Sequence, residues 1–286
     1  MHHASQIVVS FTFVLFLAAC SNDVSSNTLS AARSSETTPT AVEHVFASSQ
    51  KRVSSETGAV PSGVYIAHVR PFRVPILMYH YIRELPNPKD RMGVDLSVTP
   101  ETFVRQLATL GQKGYQSITF DLLANTGAAL PNKSIILTFD DGYQDAYTQA
   151  FPALLAHHMR GTFYIVTGFL GTPNYLTWNE VEKMKDAGME IAAHTVTHAD
   201  LSKLTSDQQE QEIKDSIQTL DEKLQIHVRS LAYPFGHYTN QTMRMTKAAG
   251  IAFATTTHGG IATDKVNPMA LPRVRIKNRT NFEMMF

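Results

Sequence analysis

Apolar runs of strand length alternate with amphipathic segments along the chain from about residue 73 onward. The run SIILTF is almost continuously apolar, which is typical of a strand covered on both faces. Helices are predicted where apolar positions recur every three or four residues behind an N-cap residue, as they do after Thr99, Thr177 and Thr205. The predicted strands cover residues 74–81, 117–120, 134–139, 162–166, 190–193, 230–233, 251–255 and 273–276.

A strand followed by a helix, repeated about six or seven times, predicts a parallel sheet with helices packed outside it. Such a sheet is either closed into a barrel or open and doubly wound. In both arrangements the loops that follow the C-terminal ends of the strands lie on one face of the domain, and sites occur there. Polar clusters at these strand ends are therefore the candidates for chemistry.

The first 62 residues have a different pattern. The apolar run Ile7–Ala19 has the length of a signal-peptide core and is short for a membrane span. It ends in Leu-Ala-Ala-Cys20, which resembles the bacterial lipobox, so residues 1–20 are expected to be a lipoprotein signal and Cys20 the lipid anchor. An ordinary secretory signal is the alternative. Residues 21–62, rich in Ser, Thr, Ala and Glu, are expected to be a flexible tether.

This N-terminus predicts an exported, lipid-anchored protein of the cell envelope. Its place would be the outer membrane or periplasm of a Gram-negative cell, and the cell surface otherwise. Cys20 is the sole cysteine of the 286 residues, so no intramolecular disulfide supports the folded part.

The chain carries 25 Lys and Arg against 25 Asp and Glu, which gives a net charge of zero. A protein that binds nucleic acid through its phosphates needs an excess of positive charge, so no nucleic-acid partner is expected. A neutral polymer such as a sugar chain meets no electrostatic objection.

Two acidic residues, Asp140 and Asp141, leave the buried SIILTF strand together. A plain Asp-Gly turn is one explanation, but adjacent carboxylates at the end of a buried strand are costly unless a cation compensates them. His194 and His198 follow a later strand, and their spacing would place both imidazoles on one face of a helical turn. Two histidines and a carboxylate would bind one metal ion and leave positions open for water and substrate, which is a catalytic arrangement.

A third cluster, residues 229–236 (RSLAYPFG), accompanies another predicted strand. Arg229 is either a surface arginine before a Pro-Gly turn or the partner of a carboxylate at the site.

The Asp-Asp-Gly-Tyr sequence, the His-x-x-x-His pair and the Arg-x-x-x-x-Pro-Phe-Gly sequence occur in this order. They resemble the first three motifs of the polysaccharide deacetylase (NodB-like) family, carbohydrate esterase family 4, and the resemblance runs from about Arg73 to Ile276. It implies an α/β fold, a distorted (β/α) barrel of about seven parallel strands, in a single catalytic domain over residues 63–286.

The resemblance also implies a role for each matching residue. The ligands of a divalent metal, zinc or else cobalt or nickel, would be Asp141, His194 and His198. Asp140 would be the general base, and Arg229 would hold and tune its carboxylate. The backbone N–H of Tyr143 would stabilise the oxyanion that forms during amide hydrolysis.

The general acid of the family usually comes from a histidine in a late Leu-x-His strand, and the late strand Leu271–Arg275 has no histidine. The segment Ile76–His80 resembles that strand moved to the other end of the domain. Because the first and last strands of a closed sheet are neighbours, His80 is expected to be the general acid. His258 is the alternative, and a half-buried structural role is the other possibility for His80.

Substrate contacts are expected from residues near the same strand ends. Trp178 resembles the family's pocket-lining tryptophan, although the usual preceding aspartate is absent and a core position is equally compatible. The remaining expected contacts are Tyr233, Pro234, Phe235 and His258.

The expected activity is removal of N-acetyl groups from N-acetylglucosamine units of an envelope or biofilm polysaccharide. The segment Tyr79–Ile82 resembles the subgroup that acts on poly-β-1,6-N-acetylglucosamine, which is therefore the favoured substrate. Peptidoglycan and chitooligosaccharides are alternatives. A non-catalytic, metal-containing sugar-binding lipoprotein is a further class, and the intact Asp140, which no metal needs as a ligand, argues against it.

Overall fold

The computed structural model describes residues 71–125 and 127–285. The expected signal at residues 1–20, Cys20, the expected tether at residues 21–62 and the first residues of the expected catalytic domain lie outside this described part. Within it, no helix is both long and apolar enough to cross a membrane.

Short strands and intervening helices follow one another through the described residues. The strands are β1 (Arg73–Val74), β2 (Ile76–Tyr79), β3 (Tyr81–Ile82), β4 (Ser97–Val98), β5 (Gln116–Ser117), β6 (Ser134–Phe139), β7 (Thr162–Ile165), β8 (Glu190–Ala193), β9 (Ser230–Ala232), β10 (Phe253–Thr255), β11 (Ala262–Thr263) and β12 (Val274–Arg275). The α-helices are α1 (Arg91–Leu96), α2 (Pro100–Gln112), α3 (Phe120–Ala124), α4 (Phe151–Ala156), α5 (Trp178–Asp186), α6 (Ser206–Leu224), α7 (Asn240–Ala248) and α8 (Phe282–Met285).

Local sequence explains where the long helices begin. Thr99 accepts a hydrogen bond from the backbone of Thr102 at the start of α2, which has proline at its first position. The capping boxes predicted at Thr177 and Thr205 both form. After Tyr143, a π-helical turn, Ala146–Ala150, continues directly into α4.

Seven parallel strands make the main sheet, in the order β10-β9-β8-β7-β6-β2-β12, and β5 pairs with β6 beside them. The first and last strands, β2 and β12, are neighbours, as predicted for a closed sheet. β12 and β10 are the two edge strands of this sheet. An isolated parallel bridge between Thr255 and Leu271 places the segment just before β12 beside β10. The sheet therefore curls into the distorted barrel that the sequence predicted.

Alternate residues of the strands point to two different cores. Ile135, Leu137 and Phe139 of β6 pack into the cluster between the sheet and the outer helices. Ile136 packs into the second cluster, on the other face of the sheet. Every residue of β6 is buried, which explains why its sequence is nearly all apolar.

Glu190, at the start of β8, is a buried carboxyl group far along the strand from the predicted site. Its Oε2 accepts hydrogen bonds from the backbone of Phe120 at 2.9 Å and from Thr162 Oγ1 at 2.5 Å. Burial, helped by the nearby Asp121 carboxylate, raises the pKa of Glu190 from 4.5 to about 8. The folded protein thus keeps this proton at neutral pH, whereas the unfolded chain releases it.

Glu190→Gln should therefore change the pH dependence of stability. The unfolded chain loses the Glu190 proton above about pH 4.5, while the folded protein keeps it. The contribution of Glu190 to the wild-type free energy of unfolding therefore falls as the pH rises towards 8. Glutamine has no proton to lose, so the variant should gain stability relative to wild type between pH 5 and pH 8 in urea unfolding. Glu182→Gln, at an exposed position of α5, is the control. An equal difference between Glu190→Gln and wild type at both pH values would contradict this prediction.

Candidate metal and catalytic centre

Three predicted ligands meet where β6 and β8 end. One ligand atom each from Asp141, His194 and His198 lies within 4.8 Å of the other two. The Nε2 atoms of His194 and His198 lie 3.2 Å and 3.3 Å from Asp141 Oδ1. Because β6, β7 and β8 run parallel, the loops that follow β6 and β8 share one face of the barrel.

The His194–His198 segment is not helical, so the prediction of a helical turn was wrong. Thr195 and His198 have positive φ angles, of 66° and 59°, and the chain turns back on itself between the two histidines. The turn is held from α6, where Glu212 Oε2 accepts hydrogen bonds from the backbone N–H groups of Val196 and Thr197, both at 2.9 Å. It is this turn that brings the two Nε2 atoms together.

The donor atoms fit a divalent cation. His194 Nδ1 lies 2.7 Å from the backbone oxygen of Ala232, an acceptor, so this nitrogen carries the hydrogen and the lone pair of Nε2 faces Asp141. Asp141 Oδ1 is buried and accepts no hydrogen bond from the described residues. Burial alone raises the pKa of Asp141, but the two imidazoles lower it well below its usual value, which keeps the carboxylate charged. Lone pairs that converge in this way suit zinc, cobalt or nickel.

Asp140 is fully engaged by an arginine from the last strand segment. Arg273 Nη1 and Nη2 donate to the two carboxylate oxygens of Asp140, each at 2.7 Å, and both side chains are buried. Arg273 also donates to Thr138 Oγ1 at 3.0 Å and to the backbone oxygen of Thr256 at 2.9 Å. Burial raises the pKa of Asp140, but Arg273, His80 and His194 together outweigh burial, so the pKa is lowered and Asp140 is a carboxylate.

Arg229 was expected in this place, and the structure does not put it there. It directly precedes β9, so it lies at the N-terminal end of that strand, while the site lies at the C-terminal ends. Its side chain is exposed, and its charge acts on Asp121 of α3. Strand β9, of three residues, separates Arg229 from the Pro-Phe-Gly turn, so the two lie at opposite ends of the strand.

His80 directly follows β2 and lies beside Asp140, with 3.8 Å between His80 Nε2 and Asp140 Oδ2. Burial lowers the pKa of His80, and the Asp140 carboxylate opposes this effect without cancelling it. His258, the alternative, is exposed, and its ring packs edge-on against Tyr238 at 6.3 Å. Of the two histidines, the structure brings His80 to Asp140.

The residues predicted to touch substrate divide into two groups. Phe235 is 54% exposed and packs edge-on against His198 at 4.8 Å, held out by a positive φ of 59°. Tyr143, predicted to contact the oxyanion through its backbone N–H, is half-buried, with the rings of Tyr81 and Tyr175 against it. Tyr233 and Pro234 are buried instead; the Tyr233 hydroxyl donates to the backbone of Met269, so Tyr233 belongs to the core. Trp178, half-buried at the start of α5, also packs against the main core.

Comparison with known proteins decides the family. A family model described as polysaccharide deacetylase matches residues 127–254. YxkH of Bacillus subtilis strain 168, classed with the polysaccharide deacetylases, is 30% identical over 230 residues, which cover 79% of this chain and 80% of YxkH. The chain belongs to the polysaccharide deacetylase family.

Other members of the family extend the likeness. The poly-β-1,6-N-acetyl-D-glucosamine N-deacetylase of Staphylococcus epidermidis is 24% identical over 226 residues, covering 71% of this chain and 78% of that enzyme. The solved structure of the Streptococcus pyogenes deacetylase PplD with acetate matches with a TM-score of 0.70 and 32% identity, over 76% of this chain and 97% of that one. The chain is thus a hydrolytic deacetylase with the barrel fold of the family.

In this polysaccharide deacetylase, the contact of Glu212 with the histidine turn is expected to orient two metal ligands. Groups that orient metal ligands from behind commonly change metal affinity about 10- to 100-fold when removed. Glu212→Ala should therefore weaken zinc binding, measured by competition with a chromophoric chelator, by about ten-fold or more. Glu210→Ala, on the same helix and paired with Lys214, is the matched control. Equal zinc affinity in both variants would show that the turn keeps its shape without Glu212.

Proposed function

We propose that this deacetylase removes N-acetyl groups from N-acetylglucosamine residues of an envelope or biofilm polysaccharide, using a divalent metal at Asp141, His194 and His198. The observation that carries the proposal is the position of Asp140. It is a buried carboxylate next to the three ligands, it is not one of them, and Arg273 holds both of its oxygens. A binding protein would need the ligands but not this second carboxylate. The S. epidermidis relative favours the β-1,6-linked polymer as substrate, and peptidoglycan and chitooligosaccharides are the alternatives.

Each residue of the site has a chemical task in this proposal. A divalent cation bound by the three ligands would supply Lewis acidity, zinc being preferred for two imidazoles and one carboxylate. Asp140 accepts the proton of the attacking water, and Arg273 fixes both oxygens of that carboxylate in place. His80, on the neighbouring strand, donates a proton to the nitrogen of the departing amine. The backbone N–H of Tyr143 stabilises the oxyanion.

Acetate release from oligomers of N-acetylglucosamine tests the proposal directly. The purified protein should release acetate from β-1,6-linked oligomers faster than from β-1,4-linked ones. A chelator should abolish the release, and added zinc or cobalt should restore it. Release from the β-1,4 series alone would move the substrate to peptidoglycan or chitin, and release that survives complete metal removal would reject the metal role.

The proposed location is the cell envelope, through a lipid on Cys20. This residue lies outside the described part of the chain, and the Leu-Ala-Ala-Cys sequence supports the proposal. Cys20→Ala should move the full chain from the detergent-soluble membrane fraction to the soluble exported fraction. An unchanged membrane fraction would reject the anchor.

A further inference from the structure

Four aromatic side chains from three segments of the chain form a continuous row beside the proposed metal centre. Tyr143 contacts Tyr81 on one side, with ring centroids 4.3 Å apart, and stacks on Tyr175 on the other at 5.0 Å. Phe169 extends the row beyond Tyr175 at 4.9 Å. All four side chains are half-buried, so each has a part anchored in the fold and a part that reaches solvent. We call these four residues the tyrosine ledge.

The ledge is held by contacts at one end and in its middle. The guanidinium carbon of Arg83 lies 3.3 Å from the ring centroid of Tyr81, and Arg83 Nε lies 3.5 Å from Asp145 Oδ2. In the middle of the row, Tyr143 and Tyr175 form an isolated antiparallel bridge. Its flanking bonds run from Gln144 N–H to the Asn174 oxygen at 2.8 Å and from Leu176 N–H to the Gly142 oxygen at 2.9 Å. A surface fixed in this way loses little conformational entropy when a ligand binds.

The ledge continues from the site that would hold the reacting acetamide. Tyr143 is two residues beyond the ligand Asp141, and Phe235 packs against the ligand His198. A polysaccharide with one unit at the ligands must pass its neighbouring units over the adjacent rim. Tyrosine suits such a unit, because its ring packs against the apolar C–H face of a sugar and its hydroxyl hydrogen-bonds to the sugar hydroxyls.

We infer that the tyrosine ledge is a subsite for the sugar unit next to the one being deacetylated, and that it makes the enzyme prefer chains over short fragments. The occupant is a neutral N-acetylhexosamine unit of the same polymer. This inference rests on the proposed function, since it assumes that the three ligands face an acetylated sugar chain. It adds a determinant of substrate length and position that the metal centre itself does not contain.

Tyr175→Ala tests the ledge, since Tyr175 lies away from the three ligands and its bridge to Tyr143 is made by backbone atoms. The wild type should have a higher kcat/KM for a pentasaccharide than for a disaccharide of N-acetylglucosamine. Tyr175→Ala should lower the ratio of these two constants about ten-fold, mainly through KM for the pentasaccharide. Tyr175→Phe keeps the ring, so its ratio should lie between those of the wild type and Tyr175→Ala. Tyr147→Ala, which removes a half-buried tyrosine stacked on Phe151 outside the ledge, is the matched control and should keep the wild-type ratio.

Mass spectrometry of the products shows which units of the pentasaccharide are deacetylated. A purely structural role of Tyr175 would leave these positions unchanged. The wild type should deacetylate defined positions of the pentasaccharide, and Tyr175→Ala should spread the product over more positions. If Tyr175→Ala does not fold, Tyr175→Leu, which fills the space without an aromatic ring, gives the same test. An unchanged ratio and unchanged positions in an active variant would overturn the ledge alone, whereas a wild type that releases no acetate from any oligomer would overturn the proposed function.

Discussion

Asp140→Asn is expected to lower kcat for acetate release by about 10³-fold, because asparagine cannot accept a proton from the attacking water. The three metal ligands are untouched, so zinc content should stay at the wild-type level. Asp141→Asn should give a different result, with loss of both zinc and activity. Parallel measurements of acetate release and bound zinc in the two variants would separate the base from the ligand. An Asp140→Asn enzyme with near-normal turnover would remove the main support for the proposed function.

Measuring acetate release from substrates with different leaving groups distinguishes the proposed base, Asp140, from the proposed acid, His80. His80→Ala should lose about 10²-fold on an N-acetyl sugar, whose amine must be protonated as it leaves. On an activated aryl acetate, whose phenolate leaves without a proton, His80→Ala should lose far less, while Asp140→Asn should remain impaired. His258→Ala should retain activity on both substrates, since its exposed ring packs on Tyr238. Equal losses of His80→Ala on both substrates would assign His80 another role.

Arg273→Met should destabilise the protein by about 3–5 kcal/mol, which is the usual result of breaking a buried ion pair from one side. Methionine fills much of the space, but both oxygens of Asp140 would lose their 2.7 Å hydrogen bonds in a buried position. Urea unfolding of the wild type and the variant at pH 7 would measure the change. Lys277→Met provides a control, since its ion pair with Asp95 at 2.8 Å lies among partly exposed side chains.

The double variant Asp140→Asn/Arg273→Met shows whether the loss comes from an uncompensated charge. Removing both charges leaves neither one buried alone, so the double variant should be more stable than the sum of the single losses predicts. Strict additivity would mean that Arg273 stabilises the barrel through Thr138 and Thr256 rather than through Asp140.

Sequence patterns predicted the parts of the fold that depend on local signals. Strand β6 was predicted at its observed bounds because an apolar run with a turn on each side has few alternative structures. The capping boxes at Thr177 and Thr205 likewise depend on residues only three positions apart. Helix α1 and the pair formed by β3 and β4 were missed, since a six-residue helix and two-residue strands leave almost no periodicity.

Within the site, the sequence predicted which residues would meet but not the backbone or the partners that hold them. The spacing of His194 and His198 suggested a helical turn, although positive φ at Thr195 and His198 produces the same convergence. Arg229 was assigned to Asp140 because it belongs to a recognisable motif, and Arg273 does not. The pairing of β12 with β2, and of β2 with β6, brings Arg273 to Asp140, and this pairing depends on contacts between distant residues. The signal that could have found it was an arginine, Arg273, inside a segment that otherwise resembles a buried strand.

The position of Arg273 also means that a late segment of the chain completes the proposed catalytic site. Asp140 and its counter-charge are 133 residues apart in the chain, and the arginine arrives with the segment that joins the two edges of the sheet. During synthesis, the adjacent carboxylates Asp140 and Asp141 therefore emerge long before the cation that pairs with Asp140. The proposed base therefore gains its counter-charge only when the segment around Arg273 lies beside β2, so formation of the last strand of the sheet also completes the proposed catalytic site.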